Sequence, residues 1–176
     1  MNHMDHLFWT GTGVTDVLIE FREIGKSWSQ KYRGMDRSVI VPLPLEAQKL
    51  DEPENGKSSR RDAIRRKMGI PADAVVLLSV ATPYKFRPAG EWDFRRTLQI
   101  ILDQCSEAVV LMVGPGPADL DRIWGQDVWR SNGRIMAVVC QSDMTYFYAV
   151  ADIALGSFPF ASQTAVLECA LHGLPC

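Results

Sequence analysis

The 176-residue sequence lacks a charge excess of either sign. Nineteen Lys and Arg stand against 21 Asp and Glu, a formal net charge of −2. A protein that holds nucleic acid by its phosphates needs a basic surplus, so that class is disfavoured from the start. No apolar run approaches the ~20 residues of a transmembrane helix. The first nine residues carry His3, Asp5 and His6 and no basic flank before an apolar core, so they do not read as a secretion signal. Cysteine is scarce and scattered. Cys105, Cys140, Cys169 and Cys176 show no C-x-x-C spacing, which argues against structural zinc and a disulfide-stapled miniprotein. Three of the four sit among apolar residues, where cysteine behaves as a small hydrophobe, and a reducing, cytoplasmic compartment is expected. No G-x-S-x-G elbow, Walker loop or G-x-G-x-x-G is present; Gly11-Thr12-Gly13 lacks the third glycine and a preceding strand. Internal repeats and low-complexity stretches are also missing.

What is present is a globular composition, 47% apolar and 23% charged. The length suits one domain and is roughly half of what most two-domain enzymes need. Residues 17–21 (VLIEF) and 38–43 (SVIVPL) read as short strand-type runs around a mixed-polarity segment, 22–33, that predicts a helix ending near Gly34. Residues 46–61 are polar, with Pro, Asn-Gly and both charge signs, and read as a linker or surface loop between residues 1–45 and 62–176.

From residue 60 onward the pattern alternates. A helix over 61–67 is stopped at Gly69 with Pro71 beyond. The apolar runs 74–80 (AVVLLSV), 108–113 (AVVLMV) and 135–139 (IMAVV), with a short fourth over 153–155, suit strands covered on both faces. Helices are expected over 92–104, 120–129, 143–151 (with Ser142 as a possible cap) and 164–171. The alternation predicts an α/β fold, a Rossmann-like parallel sheet flanked by helices.

In such sheets ligands bind outside the carboxyl ends of the strands. The loop after the first of these strands holds Lys85 and Arg87, cations suited to a phosphate or, on the bland reading, solvated surface charges. The loop after the fourth leads into a helix through Ser162, Gln163 and Thr164. The free amides and positive dipole end there can hold an anion, or Ser162 can act as a plain N-cap. Glu168 lies one turn after Thr164 on the same face, placed to accept from a ribose diol or simply to face solvent. Asp119-Leu120-Asp121 is a D-x-D string that holds a metal in some sugar transferases. At a helix start, capping is the stronger reading. His3 and His6 have i, i+3 spacing without a visible third ligand, so no metal site is expected.

Residues 151–159 (ADIALGSFP), 162–168 (SQTAVLE) and 170–175 (ALHGLP) resemble the donor-site segment of GT-B fold glycosyltransferases. The Gln163-Thr164 pair before the acid is closer to the O-GlcNAc transferase type than to glycosyltransferase family 4. In the latter two glutamates are separated by seven residues; Phe160 stands at the first position, so only the second, Glu168, carries over. The resemblance implies that Glu168 binds the ribose of a nucleoside-diphosphate sugar, and that Thr164 with neighbouring amides binds its diphosphate. It implies that Lys85 contacts the same diphosphate, and that Gln141 and Ser142 lie near the base. It implies no cofactor beyond that substrate, no metal, and an acceptor that is carbohydrate, lipid-linked or protein, in cell-surface or polysaccharide assembly. The loops 81–84 and 160–163 lack the glycines usual for close approach to phosphate. Residues 2–9, with Asp16 and Arg22, resemble the tail of an acceptor domain. The donor segment stops at Gly173-Leu174-Pro175-Cys176, where a strand normally follows. A truncated piece is therefore expected, incomplete at its C-terminus, binding donor weakly and transferring nothing alone. The alternatives are a non-catalytic Rossmann-like module that binds a nucleotide or protein partner, and a metal-dependent transferase using Asp119 and Asp121.

Overall fold

The structure, a computed structural model, describes residues 12–45, 54–130 and 133–176. His3 and His6 lie outside the described residues, as does the first half of the expected linker. The chain divides into two compact units, Met1–Glu46 and Ala47–Cys176.

In the first unit, β1 (Leu18–Glu20) and β2 (Ser38–Ile40) are parallel, joined by α1 (Glu23–Arg33), which ends at Gly34 as expected. Glu20, Ser29 and Arg33 form a buried polar cluster. The Arg33 guanidinium donates to Ser29 Oγ at 2.8 Å and lies 3.4 Å from Glu20 Oε1, to which Ser29 also donates.

The second unit runs α2 (Glu54–Met68), β3 (Val75–Val80), α3 (Phe94–Gln104), β4 (Ala108–Gly114), α4 (Pro117–Trp124), α5 (Gln126–Arg130), β5 (Ile135–Val139), α6 (Thr145–Val150), β6 (Ile153–Ala154) and α7 (Gln163–Leu171). Among the described residues its sheet is parallel throughout, in the order β5-β4-β3-β6. The unbroken apolar runs follow from this architecture. Val76, Leu78, Val109 and Leu111 face a core closed by Tyr148, Val150 and Cys169; Leu77, Val110 and Met112 face another, closed by Phe94, Leu98 and Trp124. Alternate side chains of one strand thus enter opposite cores, and neither face is wet.

Three expectations need correction. The helix predicted over 61–67 begins at Glu54, inside the polar stretch read as linker. Polarity marks solvent exposure, which an outer helix shares with a loop. The single helix over 120–129 is two, α4 and α5, because Gly125 breaks it at φ 88, a backbone geometry that glycine enters freely. Ser142 caps nothing: α6 starts later than expected, and Asp143 accepts from the Thr145 amide at 2.9 Å. The cysteines differ too. Only Cys169 is buried, its thiol pushed up to about 11 chiefly by that burial; Cys105, Cys140 and Cys176 are exposed at element ends.

The strand order places the site. The chain builds β3, β4 and β5 in one direction and then crosses back to lay β6 against the other side of β3. The reversal between β3 and β6 is a topological switch point, where loops diverge and leave a crevice at the carboxyl ends. Gly114 ends β4 beside it. A Cβ there would lie 2.0 Å from the Ala81 carbonyl oxygen, so only glycine lets the chain leaving β3 pass so close.

Ser79 on β3 is fully buried, and its hydroxyl has no hydrogen-bond partner among the described residues. Ser79→Ala should therefore raise the stability by about 1 kcal/mol, since it removes an unsatisfied buried hydroxyl. A thermal melt checks this, and a lowered melting temperature would mean that the hydroxyl is satisfied.

Candidate functional site

The two loops bordering the switch point share one aromatic anchor. After β3 the chain makes a short 3-10 helix, Pro83–Phe86, that buries Phe86 completely. Phe86 packs on Phe94 at 5.0 Å between ring centroids, and its carbonyl accepts from the Trp124 indole at 3.0 Å. Phe158, from the loop after β6, meets the same Phe94 edge-on at 5.0 Å. Such pairs add about 0.5–1.5 kcal/mol each beyond area burial, so both loops are held by a common set of rings.

With Phe86 anchored inward, the preceding Lys85 spans the crevice. Its ammonium donates to the Ala161 carbonyl at 2.9 Å and to Ser162 Oγ at 3.1 Å. An ammonium has three donors, so one remains. Both partners are neutral, and no carboxylate lies within ion-pair distance of Lys85 among the described residues. The charge is held instead at the start of α7, the positive end of that helix.

Ser162 is buried at the N-cap position, but its hydroxyl accepts from Lys85 and makes no cap bond. The plain N-cap reading is therefore incorrect. The oxygen that could have met the helix amides is taken by Lys85, and among the described residues no side chain caps the first amides of α7. Gln163 and Thr164 are exposed in that first turn. Glu168, one turn on, is half-buried, and its Oε2 accepts from the Tyr148 hydroxyl at 3.1 Å.

Other candidates are not brought to this cluster. Arg87 ends the 3-10 helix exposed, and its guanidinium makes no hydrogen bond among the described residues. Gln141 follows β5, two strands from β3, a separation of roughly 10 Å at ordinary strand spacing, and its amide donates to the Val139 carbonyl at 3.1 Å. A ligand touching Lys85 and Gln141 together must extend across the end of β4.

The D-x-D string is structural. Asp119 accepts from the Gly116 amide at 3.1 Å and lies 3.7 Å from Arg122. Asp121 accepts from the Trp129 indole at 2.9 Å and from Arg130 at 2.7 Å, and Arg130 holds its carboxyl below the usual range. No cluster of three or more His, Cys, Asp and Glu side chains suited to a metal occurs among the described residues.

Sequence reasoning missed the contributions of Phe86, Phe94, Trp124, Phe158 and Tyr148. Each looked like ordinary core, and nothing in its spacing says which loop or carboxylate it serves. It also missed the work of Asp152, the residue just before β6. Its backbone amide donates to the Val76 carbonyl at 2.9 Å, while its carboxylate accepts from the Val76 amide at 2.8 Å and from Arg65 at 2.6 Å, and pairs with Arg61. Arg65 is itself buried and donates to the carbonyls of Val150 (2.7 Å) and Ala74 (2.9 Å). This network sets β6 in register beside β3.

No protein-family model matches the chain, and no curated protein does. Among solved structures it is similar to WaaG, a glycosyltransferase involved in lipopolysaccharide biosynthesis, at 17% identity and a TM-score of 0.64, over 90% of this chain and 42% of that one. It is similar to a glycosyltransferase from Rickettsia africae at 13% identity and 0.66, over 90% and 42%. It is also similar to Anabaena HepE, solved in complex with UDP, at 15% identity and 0.62, over 94% and 45%. The chain spans less than half the length of each of these three structures. No helix among the described residues is long and apolar enough to cross a membrane. At such identities the likeness is one of fold: the chain has the Rossmann-like α/β fold found in GT-B glycosyltransferases.

Proposed function

We propose that the chain is the donor-binding part of a GT-B type glycosyltransferase. It holds a nucleoside-diphosphate sugar at the carboxyl ends of β3 and β6. In a longer protein it takes part in transferring the sugar, without metal, to a carbohydrate, lipid-linked or protein acceptor in cell-surface or polysaccharide assembly. Residues 1–45 then belong to the acceptor side of such an enzyme. The observation that carries this reading is the Lys85 ammonium, unpaired with any acid among the described residues and fixed by two neutral acceptors at the positive end of α7. Two positive features converge on one crevice, and a diphosphate answers both.

The roles follow from position. Lys85, the α7 amides and Thr164 take the diphosphate, with Ser162 steering Lys85. Arg87 adds a second cation at the rim, Glu168 takes the ribose, and Gln141 and Gln163 border the ligand. Glycosyl transfer builds negative charge on the departing diphosphate, and donors already aimed there stabilise it without reorganising. The engagement of Asp119 and Asp121 within α4 and α5 supports the metal-free reading.

The test is titration with UDP-, GDP- and ADP-sugars in EDTA. Saturable binding is expected, weakened about tenfold by Glu168→Gln, the loss of one charge-assisted hydrogen bond. Binding that needs a divalent ion and vanishes in Asp119→Ala would instead select the metal-dependent transferase. The non-catalytic module is favoured by Phe160 in place of a glutamate. It predicts donor binding with no sugar transfer by the full-length protein.

A further inference from the structure

Tyr148 contacts no part of the ligand in the proposed arrangement, yet among the described residues its hydroxyl is the side-chain hydrogen-bond partner of Glu168. It lies on α6, 7% exposed, in the core that α7 closes through Cys169. Its ring stacks on His172 with centroids 4.3 Å apart and planes 22° from parallel. Core packing and the imidazole face together leave the phenol ring little freedom, so its hydroxyl is a fixed donor 3.1 Å from Glu168 Oε2. Glu168 has no ion-pair partner among the described residues. Without Tyr148 its terminal torsion would be free over a broad, roughly two-fold range.

We propose that Tyr148 is a positioning residue for nucleotide recognition: by donating to one oxygen of Glu168 it fixes the carboxylate plane, so that the other oxygen accepts from the ribose hydroxyls of the donor nucleotide. This rests on the reading of Glu168 as the ribose ligand and adds to it a second, buried residue that sets the ribose preference. A carboxylate offers about four lone-pair sites, so one taken by Tyr148 leaves the far oxygen whole for a diol. The hydroxyl is a dependable donor. Burial, and then the neighbouring Glu168 charge, push its pKa far above the ordinary phenol value, so it keeps its proton across the physiological range. The arrangement matches the way buried partners orient ligating groups elsewhere in proteins: the outer residue never meets the ligand but decides where the inner one points.

The experiment titrates the whole chain with UDP, GDP and ADP and with their 2′-deoxy forms. Tyr148→Phe keeps the ring and its stacking and removes only the hydroxyl. It should weaken binding of the preferred ribonucleotide about 5- to 10-fold, as the loss of one oriented hydrogen bond predicts. Affinity for the 2′-deoxy form should stay within about twofold, so the ribose-to-deoxyribose ratio collapses while the melting temperature holds. His172→Ala loosens the stack without touching the hydrogen bond, and should lower the same ratio by a smaller factor. A Tyr148→Phe protein with the wild-type ratio overturns the proposal. If Glu168→Gln lowers the ratio in the same experiment and Tyr148→Phe does not, positioning fails and the ribose reading stands. If neither changes it, or no nucleotide binds, the ribose reading fails and this inference with it.

Discussion

Replacing Lys85 with methionine is expected to weaken nucleoside-diphosphate binding about 30- to 100-fold, the largest functional effect of any single side chain in the site. The size follows from charge-assisted hydrogen bonds, about 1.5–3 kcal/mol each, and a tenfold change per 1.4 kcal/mol. Methionine keeps most of the stem and loses the charge. Arginine is no conservative replacement, because its flat fork does not reproduce a point charge that meets Ala161, Ser162 and a phosphate from one atom. The contacts Lys85 makes with the protein are partly exposed and neutral, so little stability should go with them. A titration beside a thermal melt separates the two effects. Binding by Lys85→Met as tight as by the wild type would remove the diphosphate from this crevice.

The largest effect on stability should come from Asp152→Ala. It leaves the buried Arg65 guanidinium with carbonyl partners but no counter-charge and breaks the bond to the Val76 amide. The cost is about 3 kcal/mol, the low end for removing one partner of a buried ion pair because Asp152 is itself partly exposed. That corresponds to a fall of roughly 10 °C in melting temperature for a protein of this size. The loss should also depend on pH. Burial alone would raise the Asp152 pKa, but the Val76 amide and the Arg61 and Arg65 guanidinium groups outweigh it and hold the carboxyl below its ordinary value of 3.8. A depressed folded pKa adds stability above the unfolded value and loses it as pH falls through the folded one. The gap between wild type and Asp152→Ala should therefore be full at pH 7 and narrow below about pH 4. Denaturant melts at both pH values check this; an equal gap at both would show that the charge of Asp152 is idle. Because the same network registers β6 on β3, the variant should also loosen the crevice that Lys85 spans.

Much of the second unit was legible in the sequence for one physical reason. A strand buried on both faces has no polar alternation, so runs such as 74–80 and 108–113 announce a parallel sheet before any contact is known. Helix ends at Gly34 and Gly69 were equally local, because glycine enters the left-handed turn where other residues resist it. What failed were judgements made on polarity or hydroxyl chemistry alone. The start of α2 lay hidden in a polar stretch. Ser162 and Ser142 have the chemistry of caps, but a hydroxyl serves whichever partner the fold brings nearest.

The sequence by itself determined the alternating α/β order and which loops follow which strands. Lys85, Ser162, Thr164 and Glu168 were candidates on those grounds, since hydrophobic period and turn chemistry are local properties. Only the tertiary structure decided that β6 returns to the side of β3. That crossing brings Lys85 within 3.1 Å of Ser162, 77 residues away along the chain. It also sets Tyr148 under Glu168, while the β5-β4-β3 order leaves Gln141 two strands distant. The reason is that strand order is settled by which buried faces and ion pairs are satisfied together, the aromatic anchor at one end of the sheet and the Arg65–Asp152 network at the other. No stretch of local sequence contains both.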